Sequence, residues 1–98
     1  MRYVFEAALW VWDARREDTW VFVTLPADAS EEIRELTGGA RRGFGSLRVK
    51  IAVGGSTWRT SIFPGGDGYV LPFKRAIRRA EGLEVGDVAT VEVELADF

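Results

Sequence analysis

The 98-residue sequence contains neither cysteine nor histidine. Without cysteine there is no disulfide framework and no cysteine-held zinc site, and without histidine the usual transition-metal ligands are gone, so carboxylates are the remaining side chains for a cation. The same two absences exclude Ser-His and Cys-His nucleophilic machinery. Long apolar runs are also missing. MRYVFEAALWVWD, Met1 to Asp13, is interrupted by Glu6 and alternates as a strand does, which fits neither a secretory leader nor a membrane span. A soluble cytoplasmic chain with no membrane partner is expected. Phosphate-binding fingerprints are lacking as well: GGARRGFG has no Walker lysine with a following Ser or Thr, and GGDG leads into a strand instead of a helix. No cofactor is implied.

A strong excess of one charge is absent overall, the net being −2, but the charges are segregated along the chain. From Met1 to Ala40, Arg2, Arg15, Arg16 and Arg34 face eight acids, and the tail after Arg79 is acidic again. Between them Arg41, Arg42, Arg48, Lys50, Arg59, Lys74, Arg75, Arg78 and Arg79 face Asp67 alone. An anionic partner is expected to meet that central stretch.

The length suits one domain, residues 1–98. Arg2 to Trp12 alternates, with Val4, Glu6, Ala8, Trp10 and Trp12 on one face, and TWVFVTL resumes after the charged loop DARRED. This predicts a hairpin between the two runs. Pro26 stops the second run; Asp28 with Glu31 resembles a capping box, with Ser30 as a rival cap, for a helix through Thr37 that Gly38 and Gly39 end. Leu47 to Val53 alternates with one wet face. Gly54-Gly55 suits a two-residue type I′ turn, so that STWRTSIF folds back with Trp58 opposite in facing to Arg59. PGGDG turns the chain into Tyr69 to Leu71, and Pro72 is expected to open a second helix with Phe73, Ala76, Ile77 and Ala80 on one stripe and Lys74, Arg75, Arg78 and Arg79 opposite. Gly82 should end that helix, and Val85-Gly86-Asp87 should turn into a last strand.

Leu25-Pro26 with Ile33-Arg34 and Leu71-Pro72 with Ile77-Arg78 set strand, proline, helix and strand in the same order twice. The expectation is a mainly β chain, a small closed or double-split barrel of about six strands, built from two pseudo-symmetric ββαβ halves at about 2–53 and 57–95. Leu71-Pro72, Ile77-Arg78 and Leu83-Glu84-Val85-Gly86-Asp87 resemble the swapped-hairpin module of AbrB-type regulators and MazE-type antitoxins, in which two chains interleave into one small barrel. That resemblance implies two halves doing so within one chain. FEAALWVWD, the block from Arg41 to Pro64, and YVLPFKRAIRR resemble a small bacterial family of unknown function numbered nineteen-oh-five, whose members resemble the double-split barrel and have no assigned activity.

The residues therefore point to a non-enzymatic binding module for an anionic ligand or macromolecule. Candidate contacts are Arg41, Arg42, Arg59, Lys74, Arg75 and Arg78, with Phe44 and Trp58 as apolar or stacking walls. Two alternatives stand beside it: an AbrB-like DNA-binding regulator, and an enzyme using an Arg- and carboxylate-lined cleft. The DNA reading ranks below the first, because the chain is slightly acidic and its first helix carries Glu31, Glu32 and Glu35, which would repel phosphates. No catalytic or metal residue is assigned, and a monomer or weak homodimer is expected.

Overall fold

The computed structural model describes residues 1–12, 20–37 and 45–96. In chain order these form β1 (Arg2–Ala8), β2 (Trp10–Val11), β3 (Val21–Thr24), α1 (Ala27–Leu36), β4 (Leu47–Val53), β5 (Ser56–Pro64), β6 (Tyr69–Pro72), α2 (Arg75–Glu81) and β7 (Val88–Leu95). The fold is mainly β with two helices. Its seven strands make one antiparallel half-barrel sheet in the order β1-β7-β4-β5-β6-β3-β2.

Strand alternation builds the core: on β4, Leu47, Val49, Ile51 and Val53 are buried while Arg48 and Lys50 are exposed, and β7 repeats this with Ala89, Val91, Val93 and Leu95. One continuous cluster joins these residues to Val21, Val23 and Leu71 of the other strands and to Ile33 of α1. Across β1, β7, β4 and β5 a single inward row reads Tyr3, Val93, Ile51, Trp58.

Several expectations change in the folded chain. Instead of about six strands there are seven, because the first strand switches partners at Leu9. Leu9 N–H donates to the Asp87 carbonyl at 2.9 Å and its carbonyl accepts from Gly86 N–H at 2.8 Å, whereas Trp10 and Val11 pair with Phe22 and Val21. The predicted first hairpin is therefore short, and Arg2–Ala8 pairs with the last strand. Its loop, Asp13 to Asp18, lies outside the described residues. On β5 the partner likewise changes, from β4 through Ile62 to β6 from Phe63 onward.

The capping box does not form. α1 starts earlier, with Pro26 at the N-cap position and no side-chain cap; Asp28 accepts from Ala29 N–H at 2.9 Å instead. Ser30 is inside the helix and buried, its hydroxyl accepting from Tyr69 N–H at 3.0 Å. That contact ties α1 to β6. Pro72 is likewise not a helix opener: it is the last residue of β6, and α2 begins three residues later at Arg75 with Lys74 at its N-cap. Phe73 is buried before the helix, and α2 itself buries no residue fully, so the expected four-residue stripe reduces to half-buried Ile77. Between β4 and β5 the two-residue turn is present, but Gly54 alone has a positive φ, of 57°, which is the φ pattern of a type II′ turn and not of I′. Gly82, at φ 64°, ends α2 as expected, with Leu83 N–H donating to the Arg78 carbonyl at 2.8 Å.

Candidate functional site

Two clefts meet beside β3. The first is basic. Lys74, Arg75 and Arg78 line it from the start of α2, and Trp20, Val21, Pro72 and Phe73 form the rest of its wall, enclosing about 440 Å³. No acidic residue is among these lining residues. Because α2 places residues three and four apart on one side, Lys74, Arg75 and Arg78 fall together while the chain reversal from β6 brings Phe73 beneath them. Phe73 N–H donates to the Val21 carbonyl at 2.8 Å, which fixes this corner against β3. Arg78 is half-buried, and its Nε donates to the Phe73 carbonyl at 3.3 Å, holding the guanidinium toward the cleft's floor. Arg75, Arg78 and Arg79 also border a neighbouring hollow of about 350 Å³ with Gly82, Leu83 and Glu84.

The remaining candidate residues separate. Arg59 is exposed on the outer sheet surface, registered beside Lys50, which is itself beside Glu94. Nearby Arg2 and Glu92 pair at 3.6 Å, so cations and carboxylates are interleaved across this surface. Trp58 faces inward: it is half-buried and meets Phe73 edge-on, ring centroids 5.4 Å apart, with its Nε1 buried and without a partner. It lies behind the basic cleft and is not one of its lining residues. Arg41, Arg42 and Phe44 lie outside the described residues.

The second cleft was not anticipated. On the outer surface of β2, β3, β6 and the end of β5, the register sets Trp10 beside Phe22 and Phe22 beside Pro72, then Thr24 beside Val70 and Val70 beside Phe63. Trp12 N–H donates to the Trp20 carbonyl at 2.9 Å, extending the ladder by one more aromatic pair. These residues and the Gly65-Gly66-Asp67 turn enclose about 450 Å³. Trp10 and Phe22 have ring centroids 5.2 Å apart, Phe22 and Trp20 are stacked at 6.3 Å, and Trp10 Nε1 donates to Thr24 Oγ1 at 2.9 Å. The sequence signal was the spacing by two of Trp10 with Trp12 and of Trp20 with Phe22, which puts all four rings on one face once the two runs pair.

Away from both clefts, Tyr3 donates its hydroxyl hydrogen to Glu32 Oε1 at 3.0 Å, tying the middle of α1 to β1. Burial, then the hydrogen bond to Glu32 and that carboxylate's charge, pushes the phenol up to about 12. No group of three or more acidic side chains placed to share a metal ion occurs among the described residues. No helix among the described residues is long and apolar enough to cross a membrane.

With this geometry in place, the comparison with protein families is specific. The profile of a domain of unknown function, DUF1905, matches residues 5–93. The chain belongs to the DUF1905 family. That match runs from within β1 to within β7, so both clefts lie inside the DUF1905 domain. No curated protein matches the chain.

Proposed function

We propose that this DUF1905 chain is a non-enzymatic binding module that takes an anionic ligand in the basic cleft, with Lys74, Arg75 and Arg78 supplying the charge and Trp20 an apolar wall. The observation that carries the reading is the convergence of three cations on one concave site without an acid among its lining residues. Elsewhere on the sheet the basic residues are interleaved with Glu92 and Glu94. At the far end of α2, Glu81 is engaged by the Ser56 hydroxyl at 2.6 Å, which leaves it turned away from the cations of the first turn. A partly buried guanidinium already tied to a backbone carbonyl loses less freedom on meeting an anion than a fully solvated one.

The barrel part of the reading is that the sheet closes, β1 and β2 acting as one strand that joins its two ends, and that the halves are related by a pseudo-twofold. Supporting it, exchanging the halves turns the β1 to β7 pairing into β5 to β4 and the β2 to β3 pairing into β5 to β6. The β3 to β6 and β4 to β7 pairings turn into themselves. Leu25 N–H to the Tyr69 carbonyl and Phe73 N–H to the Val21 carbonyl, both 2.8 Å, form a matching pair under the same exchange. Pro26 then corresponds to Lys74, each at the N-cap of its helix. The two helices carry opposite charge, Glu31, Glu32 and Glu35 on α1 against Arg75, Arg78 and Arg79 on α2. A duplicated scaffold thus offers one anion site and not two, which weighs against a symmetric DNA reader. Against the enzyme reading stands the burial pattern: among the described residues every Asp and Glu side chain is exposed or only half-buried, and none sits at the bottom of either cleft.

The test is a thermal-shift screen of inorganic phosphate, citrate and mononucleotides on wild type and a Lys74→Glu, Arg75→Glu double variant. A specific anion present at about one hundred times its Kd adds about 2.7 kcal/mol of stability to the wild type, and the variant loses that gain. An equal response from both proteins, or none, overturns the reading. Duplex DNA titrated at low and physiological salt is expected to show no micromolar binding.

A further inference from the structure

The aromatic cleft is unlike the basic one in charge and in walls, and it is not used by the anion-binding reading. Cross-strand pairs such as Trp10 with Phe22 stabilise the short hairpin between β2 and β3, but that role does not require ring surface left in water. Trp12 and Trp20 are nevertheless 63% and 55% exposed, and Phe63 39%. Among the described lining residues Asp67 is the one charged group, at the rim on the Gly65-Gly66-Asp67 turn. Trp10 Nε1 is already donated to Thr24 Oγ1. Among the described residues, what faces the opening is therefore aromatic surface with a single carboxylate beside it.

Ring faces carry the negative part of an aromatic quadrupole, so several of them beside a carboxylate attract a positive charge. A compact ammonium or a divalent ion would lose its strong hydration without finding enough oxygen ligands here. An alkylated ammonium spreads its charge over methyl groups, is weakly hydrated, and gains from packing against the same rings. The enclosed space, about 450 Å³, is in the range of small-molecule sites, about 300–1,000 Å³. The geometry points to a second ligand site in this chain, in which Trp10, Trp12, Trp20, Phe22 and Phe63 surround an alkylated ammonium group and Asp67 balances its charge. The two clefts share Trp20 and Pro72, but the ammonium site stands on the aromatic cleft alone.

The full chain is titrated with choline chloride and, separately, with 3,3-dimethyl-1-butanol, its uncharged isostere, following tryptophan fluorescence and heat. Choline is expected to bind at least about tenfold more tightly than the isostere, the increment of a partly desolvated cation–π contact. Asp67→Asn, on an exposed turn, weakens choline several-fold and leaves the isostere unchanged. Trp12→Ala weakens both. Equal affinity for the two compounds overturns the proposal in favour of a merely apolar cleft, and binding of neither overturns it outright. Choline affinity unchanged in Asp67→Asn removes the carboxylate's assigned role and counts against the proposal. The Lys74→Glu, Arg75→Glu variant keeps choline binding, which separates this site from the anion site.

Discussion

The outer surface of β1, β7, β4 and β5 and that of β5, β6, β3 and β2 belong to one continuous sheet, yet they meet solvent in opposite ways. On the first, the outward row across four strands reads Arg2, Glu94, Lys50, Arg59, and the next reads Val4, Glu92, Ala52, Thr57. Charges of both signs are mixed there, with Glu94 between Arg2 and Lys50 and Lys50 beside Arg59, the kind of polar surface that keeps an exposed sheet in water. On the second, the outward rows are Trp10, Phe22, Pro72 and Thr24, Val70, Phe63. Alternation hides the inner residues equally well in both regions. The difference is that the first surface is finished by water, whereas the second leaves large rings half-covered, and contiguous exposed apolar surface of that kind marks binding.

The largest effect expected is on the inner side, which both regions share. Ile51 is fully buried at the centre of the inward row, and Ile51→Ala should cost about 4 kcal/mol by lost burial and the cavity left behind, while neighbouring Lys50→Ala stays within about 0.5 kcal/mol. Urea unfolding of the two variants measures this; similar losses in both would mean that the sheet does not separate an inner from an outer surface as described. Gly68 probes the aromatic region. Its φ is 144°, and a Cβ there would lie 2.7 Å from Ser30 Oγ and 2.9 Å from the Leu25 carbonyl oxygen. Gly68→Ala should therefore cost about 3 kcal/mol, since both the backbone and the α1 contact must shift. An alanine variant as stable as wild type would remove the close approach of α1 to β6.

The smallest effect concerns pH. Tyr3 titrates near 10 when unfolded and is pushed up to about 12 in the folded chain. Between those values the native state holds a proton that the unfolded state has released, so this contribution is complete below about pH 10 and is lost as pH rises through about 12. Tyr3→Phe should flatten part of the alkaline fall in stability measured from pH 9 to 12. A variant whose profile parallels wild type over that range would separate Tyr3 from Glu32.

Much of the architecture could be read along the chain, because alternation in β4 and β7, the Gly54-Gly55 turn and the Gly82 stop are all local signals. Helix starts were less legible. Pro26 follows Leu25 and Pro72 follows Leu71, but the first is an N-cap and the second is the end of a strand, since Phe22 pairs with Pro72 and carries β6 through it. The basic cleft was half legible: α2's cations were visible as a cluster, but their wall, Trp20, is distant in sequence. Trp58 was expected as a wall of the anion site, and the inward row sets it edge-on to Phe73 instead.

By itself the sequence determined a histidine- and cysteine-free chain, mainly β with two helices, whose cations gather in its centre; each follows from composition or from periods of a few residues. Tertiary structure decided which strands meet. Leu9 and Ile62, both buried, are where the chain changes partner, and those changes bring Trp10 and Trp12 beside Phe22 and Trp20 and set Trp20 between an aromatic cleft and a basic one. Pairing of this kind depends on burying the inner face of the whole sheet at once, a condition that no local stretch carries.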